Sequence, residues 1–233
     1  MSDRSGLGIV PAWPYFQGMS QANDLPDELP LFPLQGAILL PGEILPLNVF
    51  EPRYLNMLDD VRNGGGHLGI IQSRSGDDPS RPALAGTGTA GRLKQWQETG
   101  DGRYLISLVG VSRFRLAAEL DRQTPYRIAK ADYAPFAEDR RPRGELEGDR
   151  EAFLQKLRAW FRAEHLTADW CSLQAAPLAK LVDQLSMSAP FPSADRQALL
   201  EAHGPAERLR LMQALLDVGT DGRTGRGTGG SVH

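Results

Sequence analysis

Four prolines, Pro30, Pro33, Pro41 and Pro46, interrupt an apolar run that would otherwise read as one long strand. Proline has no N–H to give to a sheet ladder, so each must lie at a strand end, on an edge or in a turn. The run therefore divides into two short strands over residues 29–34 and 44–49, with Pro41-Gly42 marking the loop between them. Phe50-Glu51-Pro52-Arg53-Tyr54 then opens a helix, because Pro52 in the first turn loses no hydrogen bond. Leu55, Leu58 and Val61 continue that helix at three-residue spacing, and Asn63-Gly64-Gly65-Gly66 stops it.

Downstream, residues 67–73 read as a buried strand and 75–83 as a polar loop. Two longer strand-like runs, 86–97 and 103–116, flank Glu98-Thr99-Gly100-Asp101-Gly102 and predict a long hairpin. Residues 126–133 complete a β-rich part. From about Arg143 the period changes: Phe153, Leu154, Leu157, Trp160 and Phe161 recur at helical spacing. A second helical segment over 173–187 should break near Pro177. Ser193 is a good N-cap for a helix over 194–203, and Gly204-Pro205 separates that helix from one over 206–218. Residues 219–233 are Gly-, Thr- and Arg-rich and are expected to be disordered. Residues 1–28 form an irregular lead-in whose cluster of Trp13, Tyr15 and Phe16 is expected to dock on the body, since solvated tails rarely gather large rings.

With 41% hydrophobic and 24% charged residues, the composition is that of an ordinary globular protein. A net charge of −3 with dispersed arginines argues against a duplex-binding stripe. The single cysteine, Cys171, excludes an internal disulfide and fits a reducing compartment, with the cytoplasm as the expected location. Beside Trp170 it reads as a small buried hydrophobe. No run approaches the ~18 apolar residues that a membrane span needs, and the amino terminus has no signal-peptide pattern.

The succession Leu-Phe-Pro-Leu, Leu-Pro-Gly, Leu-Pro-Leu and Phe-Glu-Pro-Arg-Tyr within residues 31–54 resembles the start of the LON substrate-binding domain. Gly86-Thr87-Gly88-Thr89-Ala90, the turn Asp101-Gly102-Arg103-Tyr104 and the strand Val109–Arg115 with its Arg113-Phe114-Arg115 extend the likeness in the same order. Ala198-Leu199-Leu200-Glu201 and Glu207-Arg208-Leu209 carry it into the second half. The resemblance covers roughly 29–218. It implies an α+β fold, a PUA-like β pseudobarrel over 29–138 followed by a helical bundle over 143–218. Composition alone predicts only a β-rich half and then an α half.

Catalytic motifs are sought and mostly not found. No Gly-Lys-Ser or Gly-Lys-Thr occurs, so a phosphate-cradling loop and ATP-driven unfolding are not expected. Gly86, Gly88 and Gly91 precede a strand rather than a helix, and read as small residues where strands cross closely. Lys180 and Ser186, six apart on a helix, lie on nearly opposite sides and make a poor peptidase dyad. His67, His165, Cys171 and His203 are too scattered for a metal site, and no cofactor is expected.

Two stretches remain as binding candidates. The apolar loop Ala37-Ile38-Leu39-Leu40-Pro41 either offers a binding rim or covers the barrel end. Glu51, Arg53 and Tyr54 either edge a peptide groove or fix the junction, with Glu51 capping the helix, Arg53 pairing with an acid and Tyr54 packing on the sheet. Arg113 and Arg115 share one strand face, solvated or ion-paired. The expected peptide-contacting set is Phe32, Ile38, Leu39, Leu40, Phe50, Tyr54 and Arg113. The expected function is non-catalytic recognition of unfolded or partly folded polypeptides. The alternatives are an adaptor for one protein partner, or an RNA module in which Arg113, Arg115, Arg122 and Arg127 converge.

Overall fold

The computed structural model describes residues 25–74, 81–142 and 144–224, with only the backbone of 221–224. The aromatic lead-in residues Trp13, Tyr15 and Phe16, most of the 75–83 loop and the end of the tail lie outside the described residues. The described residues separate into two compact units, one of 25–74, 81–142 and 192–201, the other of 144–191 and 202–224.

The first unit is built on six strands: β1 (Glu28–Leu34), β2 (Ile44–Val49), β3 (His67–Ser73), β4 (Leu84–Glu98), β5 (Tyr104–Leu120) and β6 (Ile128–Asp132). Their order is β2-β5-β4-β3-β1-β6, and β6 also pairs with β5. Five strands thus close into a ring, with β1 parallel to β3 and the other pairs antiparallel. Leu29, Leu31, Ile71, Ala90, Phe114 and Ala129 fill its interior. Closure is possible because β5 is long enough to serve two partners on one edge: β6 along residues 115–120 and β2 along 104–109. β2 therefore adds to β5 outside the ring, and Pro46 sits in the middle of this outer strand, whose free edge needs no N–H from it.

The loop between β1 and β2 is clamped onto β4 and β5. Thr89 Oγ1 donates to the Leu39 carbonyl at 2.5 Å, and Gly42 N–H donates to the Gly110 carbonyl at 2.8 Å. Ile38, Leu39 and Leu40 are at most 1% exposed. Glycine makes the close approach possible: a Cβ on Gly110 would lie 2.2 Å from the Leu40 carbonyl oxygen. Gly88 meets the same constraint, 2.6 Å from the Ile70 carbonyl oxygen, whereas a Cβ on Gly86 would meet open space. Of the three glycines grouped by the sequence reading, Gly86 is therefore not at a close crossing.

Helix α1 (Pro52–Asn63) follows β2. A 3-10 segment, Ala134–Arg140, follows β6 and was not anticipated. Residues 192–201, expected within the helical bundle, group instead with the sheet. The reason is polar. The helix Ser193–Glu201 is held by side chains reaching backbone carbonyls: Gln72 Nε2 to Ser193 at 3.0 Å, Gln197 Nε2 to Thr87 at 3.0 Å, Arg113 Nη1 to Leu200 at 2.9 Å, and Arg196 to Gly36.

The second unit holds α2 (Arg150–Ala163), α3 (Trp170–Ala175), α4 (Leu178–Ser188) and, after the sheet-bound α5 (Ser193–Glu201), α6 (Pro205–Thr224). Asp149 caps α2, accepting from Ala152 N–H at 2.9 Å. The break between α3 and α4 falls at Pro177, as its missing N–H requires. Phe153, Leu157, Trp160, Leu181, Val182, Leu209 and Met212 form this unit's core, into which Arg208 and Asp183 bring a buried ion pair at 2.7 Å. The helix α6 runs past the expected end at 218. A Cβ on Gly219 would meet Trp160 Nε1 at 2.5 Å, so the indole packs directly on helix backbone there. Among the described residues no helix is long and apolar enough to cross a membrane.

Candidate functional site

The junction between β2 and α1 brings the most surface chemistry together. Pro52 starts α1 after an extended Glu51, whose side chain makes no capping hydrogen bond. Glu51 instead accepts from Arg53 Nε at 2.9 Å, so the acid expected for Arg53 is its near neighbour, and the side-chain cap expected of Glu51 is not made. The Arg53 guanidinium lies 4.6 Å from the centre of the Tyr54 ring, a cation–π contact. Tyr54 stacks on Phe32 of β1, centroids 4.3 Å apart. Burial raises the Tyr54 phenol above its usual range.

Beside this junction lies a cleft of about 180 Å³ lined by Tyr54, Tyr126, Arg53, Arg127, Pro33 and Pro125, among others. Its polar groups are largely committed. Tyr126 Oη donates to Asp60 Oδ2 at 2.6 Å, and burial together with that acceptor and its charge pushes the phenol up to about 12. Arg127 donates to Glu119 and, through Nη1, to the Pro82 carbonyl at 2.7 Å. The Glu119 carboxyl is held below its usual range, chiefly by that Arg127 hydrogen bond. What the cleft offers is ring faces and proline edges with compensated charge.

The exposed face shared by β2 and β5 carries large apolar side chains among polar ones. Antiparallel partners share a face, and Ile44 pairs with Val109 while Asn48 pairs with Leu105. Period-two alternation then sets Ile44, Pro46 and Asn48 with Leu105, Ser107 and Val109 on one side. Ile44 is 56% exposed and Leu105 48%, and Phe50, just beyond the strand, is 58% exposed with the Arg103 guanidinium 5.9 Å from its ring. Isolated exposed apolar residues need no account, but three large ones on and beside a single edge strand form a patch.

Of the seven residues expected at a peptide site, Phe32, Phe50 and Tyr54 lie in or under this region. Ile38, Leu39 and Leu40 do not: all three are core, held against β4 and β5 by the Thr89 and Gly110 bonds. Arg113 is also unavailable. Its side chain is 4% exposed and makes a two-pronged ion pair with Asp139, Nη2 to Oδ1 at 2.7 Å and Nε to Oδ2 at 2.8 Å, with Phe136 stacked at 4.6 Å. It shares its strand face with Arg115, as the alternation requires, but the 3-10 segment and α5 cover it. Among the arginines expected to converge on RNA, Arg113, Arg122 and Arg127 are each paired with a different carboxylate, Asp139, Glu28 and Glu119. Cys171, read as buried, is exposed, because α3 is a short helix with no buried residue. Ser186 Oγ is buried and donates to the Val182 carbonyl, the local bond of a serine inside a helix.

Ile44, Leu105 and Tyr126 were not singled out by the sequence, and Arg127 was named only for the RNA alternative. β5 reads Tyr104-Leu105-Ile106-Ser107-Leu108-Val109, apolar on both faces, so alternation could not say which side met solvent. The two cleft residues are distant in sequence from Tyr54 and carry no motif.

Residues 28–218 match the family model described as the ATP-dependent protease La (LON) substrate-binding domain. Lon protease 2 of Myxococcus xanthus is 26% identical over 86% of this chain, and Lon protease 2 of Sorangium cellulosum is 30% identical over 82%. The chain spans about 24% of the length of these curated relatives. A crystal structure of a Lon N-terminal domain protein from Xanthomonas campestris, 26% identical, superposes with a TM-score of 0.57 over 80% of this chain and 97% of that one.

Proposed function

Because the chain belongs to the LON substrate-binding domain family, we propose that it holds apolar segments of unfolded or partly folded polypeptides and leaves their covalent structure unchanged. The observation that supports the reading is the exposure of Ile44, Leu105 and Phe50 on and next to the edge strand β2, together with a cleft at the β2–α1 junction walled by Tyr54 and Tyr126. An extended client lays its apolar residues on the patch and inserts one ring or proline into the cleft. Such contacts demand little of client sequence, because area and ring faces do the recognising. Pro46 limits strand addition along β2: its missing N–H leaves a gap in the outward row of donors, so side-chain contact outweighs backbone pairing. The cytoplasm is the location this role implies.

Titration with reduced, alkylated serum albumin, a permanently unfolded chain, tests the reading by fluorescence anisotropy. Binding in the micromolar range, lost in Phe50→Asp and in Leu105→Asp, is expected. No binding at several hundred micromolar, or equal binding by both variants, rejects it.

A further inference from the structure

The second unit carries a surface that polypeptide capture on the sheet does not use. A groove of about 370 Å³ runs along α2, lined by Arg158, Phe161, Arg162, Leu166 and Trp170. That is within the range of ~300–1,000 Å³ usual for ligand pockets. Its floor is assembled from three separately fixed groups. Phe161 is buried in the unit's core, and Trp170 meets it edge to face at 5.4 Å. Leu166 is set by the end of α2: His165 adopts a left-handed φ of 54°, and Leu166 N–H donates back to the Phe161 carbonyl at 2.8 Å. Trp170 is fixed as the first residue of α3, whose N-cap Asp169 accepts from Cys171 N–H, Ser172 N–H and Ser172 Oγ.

Arg158 and Arg162 lie four apart on α2, on one face, and flank that floor. The Arg158 guanidinium sits 5.3 Å from the Trp170 ring. Among the described residues neither guanidinium forms an ion pair, in contrast to Arg53, Arg113, Arg122, Arg127 and Arg208, each of which meets a carboxylate. Asp169, the acid next to Trp170 in sequence, is taken up by its capping role. The groove therefore combines an apolar aromatic floor with uncompensated positive charge, in a chain whose net charge is −3.

We propose that this groove docks a short acidic–aromatic segment of a protein partner. One or two Asp or Glu side chains of that segment bridge Arg158 and Arg162, and a neighbouring Phe, Trp or Leu covers Phe161, Leu166 and Trp170. Guanidinium forks match carboxylates in two-point geometry, so the charge selects an acidic partner and the floor selects the apolar neighbour. Because the site lies in the helical unit and includes neither Phe50 nor Leu105, it stands or falls separately from capture of unfolded chains.

The test uses the full chain and three fluorescein-labelled decapeptides with Glu-Glu-Leu-Phe, Lys-Lys-Leu-Phe or Glu-Glu-Gly-Gly cores in an otherwise Gly-Ser sequence. The first peptide should bind at least tenfold more tightly than either of the others, and its affinity should fall as salt rises. Arg158→Glu/Arg162→Glu should abolish that preference with the circular dichroism spectrum unchanged. Trp170→Ala should weaken binding at least fivefold, while Phe50→Asp leaves it intact. Equal binding of the three peptides, or binding unaffected by the double arginine variant, overturns the proposal. So does an arginine-dependent self-association seen by sedimentation that acidic peptide fails to dissolve, which would assign the groove to a second copy.

Discussion

Arg113 and Asp139 face each other through two parallel hydrogen bonds, 2.7 and 2.8 Å long, with both side chains almost entirely removed from water. One residue lies on β5 and the other in the 3-10 segment, and the same guanidinium reaches the Leu200 carbonyl near the end of α5. A family strand motif is here a three-way tie between strand, turn and helix. Removing one partner strands a buried charge, which costs about 3–5 kcal/mol. Asp139→Ala should therefore lower the urea midpoint by that equivalent. Arg113→Met/Asp139→Leu should recover part of the loss, because no charge is then left buried.

The exposed apolar patch makes the opposite prediction. Ile44 and Phe50 are more than half exposed, so Ile44→Asp and Phe50→Asp should change stability by no more than about 0.5 kcal/mol. Affinity for an unfolded chain should nevertheless fall at least tenfold. Thermal unfolding measured beside anisotropy separates the two effects.

Tyr126 and Asp60 predict an alkaline limit for the sheet unit. The phenol is pushed from its ordinary range up to about 12, first through burial and then through its bond to Asp60 and that residue's charge. A raised pKa means that the unfolded chain ionises first. The associated stability is present in full below about pH 10 and is lost as pH climbs through about 12. Phenolate absorbance at high pH should lose one tyrosine's step in Tyr126→Phe, while Tyr54 and Tyr133 still titrate late, and the Tyr126 step should come earlier in Asp60→Asn.

Two glycines of the same barrel should respond in contrasting ways. At Gly110 a methyl group would collide with the Leu40 backbone, which cannot swing aside, so Gly110→Ala should cost about 2 kcal/mol or more. At Gly86 nothing lies within 4 Å and φ is not positive, so Gly86→Ala should be neutral or stabilise by up to about 1 kcal/mol. Chemical denaturation of the pair checks both.

Much of the fold was legible because local rules governed it. The prolines placed β2 at Ile44–Val49 and started α1 at Pro52, and glycine-rich turns bounded β3 and the β4–β5 hairpin. Pro177 parted α3 from α4. The candidate site was less legible. Phe32, Phe50 and Tyr54 were singled out because they flank the punctuated strands, whereas the apolar character of Ile38, Leu39 and Leu40 suits a rim and a plug equally well. Only burial separates those two roles.

The amino-acid order by itself determined the elements, their α+β succession and the family, because backbone donors, ring constraints and hydrophobic period act over a few residues. Tertiary structure alone decided which apolar groups stay in water, which arginines are neutralised and where α5 belongs. Those outcomes depend on long-range partners such as Thr89 with Leu39, Arg113 with Asp139 and Gln197 with Thr87, whose meeting no local pattern encodes.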